Sequence, residues 1–87
     1  MHAVVVRVSI KDVEDATRAL EEQVVPAVSQ APGFVAGYWT RKDNGGLSMI
    51  VFESEDAART ASERIRDGVP GSVDLDGVEV REVVANA

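Results

Sequence analysis

Hydrophobic and polar positions change period several times along the chain, and each change marks an element. From His2 to Val8, the side chains of Val4, Val6 and Val8 fall on one side of an extended backbone and those of Ala3, Val5 and Arg7 on the other. This is the period of two of a strand, in a segment rich in β-branched residues. Apolar residues on both sides predict a central strand covered twice. After a short connection from Ser9 to Lys11 the period lengthens. Val13, Ala16, Leu20, Val24, Ala27 and Val28 recur three or four apart and draw one apolar stripe along a helix. Glu14, Arg18 and Glu22 are spaced for ion pairs on its wet side, and Asp12 is the expected N-cap, with Asp15 in the capping-box position. Pro26 removes the bond to the Glu22 carbonyl and disfavours helical geometry at Val25, which predicts a kink or an early end. Pro32-Gly33 closes the helix in any case.

The period returns to two from Phe34 to Arg41, where Phe34, Ala36, Tyr38 and Thr40 alternate with Val35, Gly37, Trp39 and Arg41. Each set carries an aromatic residue, so both faces of this strand are expected to be covered. Asp43-Asn44-Gly45-Gly46 is a turn signal, because Asn and Gly tolerate the positive φ of tight hairpins, and Leu47 to Phe52 returns as the second arm. Ser54-Glu55-Asp56 opens a second helix with a cap and two carboxylates at its positive end. Ala57, Ala58, Ala61 and Ile65 form its narrow apolar stripe, Arg64 and Arg66 suit its last turn, and Asp67-Gly68 ends it. Val69 to Gly77 reads as a turn-rich approach, and Val78 to Val84 as the last strand.

Strand, helix, strand, strand, helix, strand is the split βαβ order of the ferredoxin-like α+β class, βαββαβ, in one domain spanning residues 1–87. Right-handed crossovers then put the first and third strands at the centre of a four-stranded antiparallel sheet, flanked by the fourth and the second. Two helices cover one face of such a sheet. The other face keeps apolar side chains, which mark an interface, and a second copy related by a two-fold axis is the simplest cover.

Composition narrows the function. A chain of 87 residues is short enough to gain from a partner surface. The formal net charge of -6 sets the molecule against phosphate backbones and anionic headgroups, so neither nucleic acid nor membrane is an expected partner. The absence of Cys removes disulfides, thiolate catalysis and Cys-ligated zinc, and leans towards a cytoplasmic setting. Arg7 cuts the first apolar run short of a signal-peptide core or a membrane span.

Pro32-Gly33-Phe34, the Trp five residues later at Trp39, and Phe52-Glu53-Ser54-Glu55-Asp56-Ala57 running into the second helix resemble the dimeric α+β barrel superfamily. Within it, the chain is most similar to the small antibiotic-biosynthesis-monooxygenase-like proteins. The resemblance covers nearly the whole sequence and implies a homodimer with a cleft between sheet and helices in each subunit. It also implies, for some members, oxygenation of quinol-like polycyclic aromatics with no cofactor. The Trp and His that catalytic members carry near the end of the third strand and on the second helix are replaced here by Glu53 and Ser62.

Candidate chemistry is sparse. Trp39 suits stacking on a flat aromatic ligand, or packing in a core or dimer contact. Tyr38 offers a hydroxyl to a substrate oxygen or to an interface rim. Arg41 is placed to meet a carboxylate or phenolate, and His2, the only His, has the reference pKa for acid-base work. The set for catalysis is therefore His2, Tyr38 and Arg41, and for substrate binding Trp39 and Tyr38. No spacing suggests a metal site, and no glycine pattern a phosphate cradle. Three functions remain: a cofactor-independent monooxygenase acting on a polycyclic aromatic or quinol-type substrate, a non-catalytic small-molecule-binding or stress-associated dimer that uses the same cleft, for a small aromatic ligand among others, and a structural dimer with its cleft filled by Met49, Leu20 and their neighbours.

Overall fold

The computed structural model describes all of residues 1–87. Its elements run β1 (His2–Ile10), α1 (Val13–Ala19), a π-helical turn (Leu20–Val24), α2 (Val25–Ser29), β2 (Phe34–Lys42), β3 (Gly45–Phe52), α3 (Glu55–Asp67) and β4 (Val73–Glu82). The four strands form one antiparallel sheet in the order β2-β3-β1-β4. The fold is thus the ferredoxin-like α+β arrangement expected from the pattern, with the first helix interrupted by its π turn. No helix is long and apolar enough to cross a membrane.

The core forms where Val4 and Val6 of β1 and Ile50 and Phe52 of β3 meet Ala58 and Ala61 of α3. Phe52 is completely buried, with Phe34 edge-on to it at a centroid distance of 6.2 Å. Both helix starts follow the sequence. The Asp12 side chain accepts from the Asp15 amide at 3.1 Å, and Ser54 Oγ accepts from the Ala57 amide at 3.1 Å.

Four expectations need correction. Pro26 does not end the first helix, which runs on to Ser29. The Val25 amide donates to the Leu20 carbonyl, five residues back, so the chain takes one wide turn just before the proline and resumes α geometry with Pro26 in its first turn. A π turn displaces the Glu22 carbonyl that an uninterrupted α-helix would have driven into the ring.

The second correction concerns β2, where the register shifts between Phe34 and Ala36. The bulge at Val35 moves Phe34 to the helix face, along with Gly37, Trp39 and Arg41, and leaves Ala36, Tyr38 and Thr40 on the other. Third, Gly45 and Gly46 are strand residues paired with Lys42 and Arg41, and the loop is only Asp43-Asn44, with the positive φ of 53° at Asp43. Fourth, β4 starts five residues earlier than its valines suggested and stops at Glu82. Its Asp76-Gly77 is a bulge opposite the Arg7/Val8 step, closed by a 2.6 Å hydrogen bond from Ser9 Oγ to Asp76 Oδ2.

One glycine is fixed by two constraints at once. Gly33 has φ 79°, and a Cβ placed there would lie 2.9 Å from Ala57 Cβ, while its carbonyl accepts from the Glu53 amide at 2.8 Å. Gly33→Ala is expected to destabilise the fold by about 1–3 kcal/mol, combining left-handed strain with a displaced α3. A lowered urea midpoint with an unchanged slope checks this.

Candidate functional site

The first helix and α3 rest on the sheet differently. Small side chains at Ala58, Ala61 and Ser62 are buried and let α3 lie close, and Arg66 Nη2 ties its end to the Val78 carbonyl of β4 at 3.0 Å. The first helix buries only Ala16, and its Leu20, Val24 and Val28 stay half-buried. Between that helix, the sheet and the loop entering β4 an open cleft of about 290 Å³ remains. Its floor is Val6, Val8, Ile50, Trp39 and Gly46, and its roof is Ala16, Leu20, Val24 and Val28, with Ile65, Val69, Pro70 and Val73 along one side.

Two glycines on the floor set this shape. A Cβ at Gly46 would stand 2.6 Å from Val8 Cγ2, so only glycine lets Val8 lie across β3. A Cβ at Gly37 would meet the Trp39 ring at 2.8 Å from Cη2 and 2.9 Å from Cζ3. The indole therefore lies over Gly37, with Phe34 beyond it, and forms part of the wall.

The polar groups of the cleft are few. Thr17 Oγ1 is occupied by the Val13 carbonyl and Thr40 Oγ1 by the Leu47 carbonyl, at 2.8 and 2.6 Å. Ser48 adds a buried hydroxyl beside Trp39. Arg41 is the one charged lining residue. It stands at the hairpin end of the cleft, where its Nη1 donates to the Asp43 carbonyl at 2.9 Å, leaving the rest of the guanidinium fork free. No Asp, Glu or His lines the cavity.

Of the four residues singled out from sequence, the fold brings together Trp39 and Arg41. Tyr38 lies on the opposite face of the sheet, 69% exposed, beside Leu47 and Met49. His2 lies at the far end of β1, where its Nε2 is 3.4 Å from Glu55 Oε2 and its Nδ1 is buried without a partner. Met49 and Leu20, considered together as fillers of the cleft, are on opposite sides of the sheet, and Leu20 lines the cavity without closing it. Val69, Pro70 and Ser48 were not foreseen. Val69-Pro70 carried only a turn signal, and Ser48 joins Trp39 only through the register.

No group of three or more His, Cys, Asp or Glu side chains converges anywhere in the molecule. No protein-family model matches the sequence, and no curated protein matches it.

Since Trp39 is the only tryptophan, its emission reports on the wall directly. Gly37→Ala is expected to shift the emission maximum and to cost about 1–3 kcal/mol of stability through overpacking. An unchanged spectrum with unchanged stability contradicts the seat of the indole over Gly37.

Proposed function

We propose that the chain works as a cytoplasmic homodimer whose clefts each bind a small, flat aromatic molecule, with the ring against Trp39 and an acidic or phenolic oxygen toward Arg41. The observation that carries this reading is an open apolar cavity with one aromatic wall and one cation at one end. Ligand sites are typically apolar concavities of ~300–1,000 Å³ with a few polar groups fixing orientation. At about 290 Å³ the cleft stands at the small end, which favours a compact ring system.

The dimer half of the proposal rests on the uncovered sheet face. Tyr38, Leu47 and Met49 are exposed there around a buried Val5, with Glu79 held between Arg7 and Arg81 at the polar edge. A second copy is the simplest cover for such a cluster.

The same Arg41 supports a second reading, oxygenation of a quinol-type aromatic without a cofactor. A guanidinium facing a ring oxygen stabilises the phenolate, the electron-rich form that dioxygen oxidises. Among the lining residues no carboxylate or imidazole stands ready to take the proton, so it must pass to water, and binding is the primary reading.

Titration with naphthoate by calorimetry tests the site. Trp39→Ala is expected to weaken binding about tenfold, as loss of a stacking partner does. Arg41→Gln is expected to weaken naphthoate by roughly threefold to fivefold, the worth of an exposed ion pair, and to leave uncharged naphthalene unaffected. Equal affinities for wild type and Trp39→Ala exclude the cleft as the site. Consumption of oxygen with anthrones or quinols, lost in Arg41→Gln, selects the second reading. In sedimentation at micromolar concentration the wild type is expected to run as a dimer and Met49→Arg as a monomer, and a wild-type monomer contradicts the dimer.

A further inference from the structure

The cleft does not end under Leu20. Val24, Val28, Ile65 and Gly68 belong to its wall and also to the wall of a second cavity, of about 260 Å³, that opens between the first helix and α3. This second space is walled by Ala27, Ala31, Phe52 and Ala61, and its polar residues are Gln23 and Arg64, both exposed. The two cavities are therefore consecutive compartments of one apolar trough with shared side walls. α3 packs on β1, β3 and β4, the first helix meets the sheet chiefly where α2 faces β2, and the two helices make little contact with each other, so the trough continues between them.

Its direction is set by the strands. Arg41 and Gly46 pair at the hairpin end, and Phe52 is six residues along β3 from Gly46, which at about 3.3 Å per residue separates the ends by roughly 20 Å. The first compartment holds the aromatic wall and the cation. The second has neither an aromatic face open to a ring nor a charge in its interior, since Phe52 is wholly buried and edge-packed by Phe34. A ring with its oxygen at Arg41 fills the first compartment and leaves the second to the part of the ligand pointing away from that oxygen. Methylene groups satisfy such walls, because they bring no polar atom that the alanines and valines cannot hydrogen-bond.

We infer that the ligand class is an aromatic acid or phenol bearing an aliphatic tail opposite its oxygen, with the head in the Trp39 compartment and the tail between the two helices. This rests on the proposed binding of an aromatic head in the cleft and adds the tail and its path.

The test is a series of naphthoates with linear tails of zero to eight carbons at the ring position farthest from the carboxylate. Against the wild type, affinity is expected to tighten about threefold to fourfold per methylene once the tail passes Val24 and Val28, then to level off when the trough is full. Ala27 lies in the second compartment only and is exposed, so Ala27→Phe plugs it without touching the head. This variant is expected to abolish the gain from long tails while binding unsubstituted naphthoate as the wild type does. Ala27→Glu, a good helix former, is expected to weaken the long-tailed members by setting a charge in the tail's path, and circular dichroism confirms that each variant is folded. If naphthoate binds but affinity is independent of tail length, or the gain survives in both folded variants, the tail path is overturned and the head site stands. If no member binds, the head site fails and the tail path with it.

Discussion

The close seat of α3 on the sheet is the constraint from which the rest follows. Ala58 and Ala61 present almost no side chain to Val4, Val6, Ile50 and Phe52, so that helix comes down until its backbone is near the strands. Gly33 completes the fit from below, since its missing side chain is what Ala57 occupies. The first helix carries Leu20, Val24 and Val28 on the equivalent line and so rides higher. Two helices at different heights on one sheet leave a trough between them, and the hydrophobic effect does not close it, because α3 is already held by its cap, its core contacts and the Arg66 bond to β4. The cavity is thus a by-product of alanine on one helix and larger side chains on the other.

How much of this was legible depends on which physical rule each residue obeys. Asp12 and Ser54 declared both helix starts, because a cap is a local bond between residues three apart. The order of the strands followed from their sequence and the handedness of crossovers. Alternation failed at Val35 and Asp76 for a shared reason: a bulge inserts one residue without changing the composition, and every side chain beyond it changes face. Tyr38 and Trp39 always had to point apart. Which of them faced the helices depended on Val35, and Asp76-Gly77 reads as a turn in sequence although it lies within β4. The pairing of Trp39 with Arg41 on one face was visible in their spacing of two. Their meeting with Ser48 required the register with β3. The overlap of the two compartments depends on helix height, which no periodicity reports.

Charge is distributed so that the trough and the uncovered sheet face differ from the bulk surface. The chain is acidic overall, with 15 Asp and Glu against 9 Lys and Arg, yet the trough wall includes no carboxylate and its only cations are Arg41 and Arg64. The net charge repels an approaching anion at a distance, whereas the charged residues along the trough are cations alone. Such an arrangement suits the weakly charged, mostly apolar ligand proposed above better than a phosphate.

The wide turn at Leu20–Val24 has a consequence for how this molecule changes over generations. A π turn is one residue more than the α-helix would hold, and here the surplus sits directly above the trough, between Ala16 and Val28. Losing a single codon in that stretch would restore regular winding and leave everything from Val25 onward on the face it now holds, because the wide turn is what absorbs the extra residue. Val28 would stay over the trough, and the change would be confined to the stretch around Leu20 and Val24. Regular winding would also press the carbonyl four residues before Pro26 into its ring, so the proline and the surplus residue hold each other in place, and losing either one alone leaves the other without its purpose.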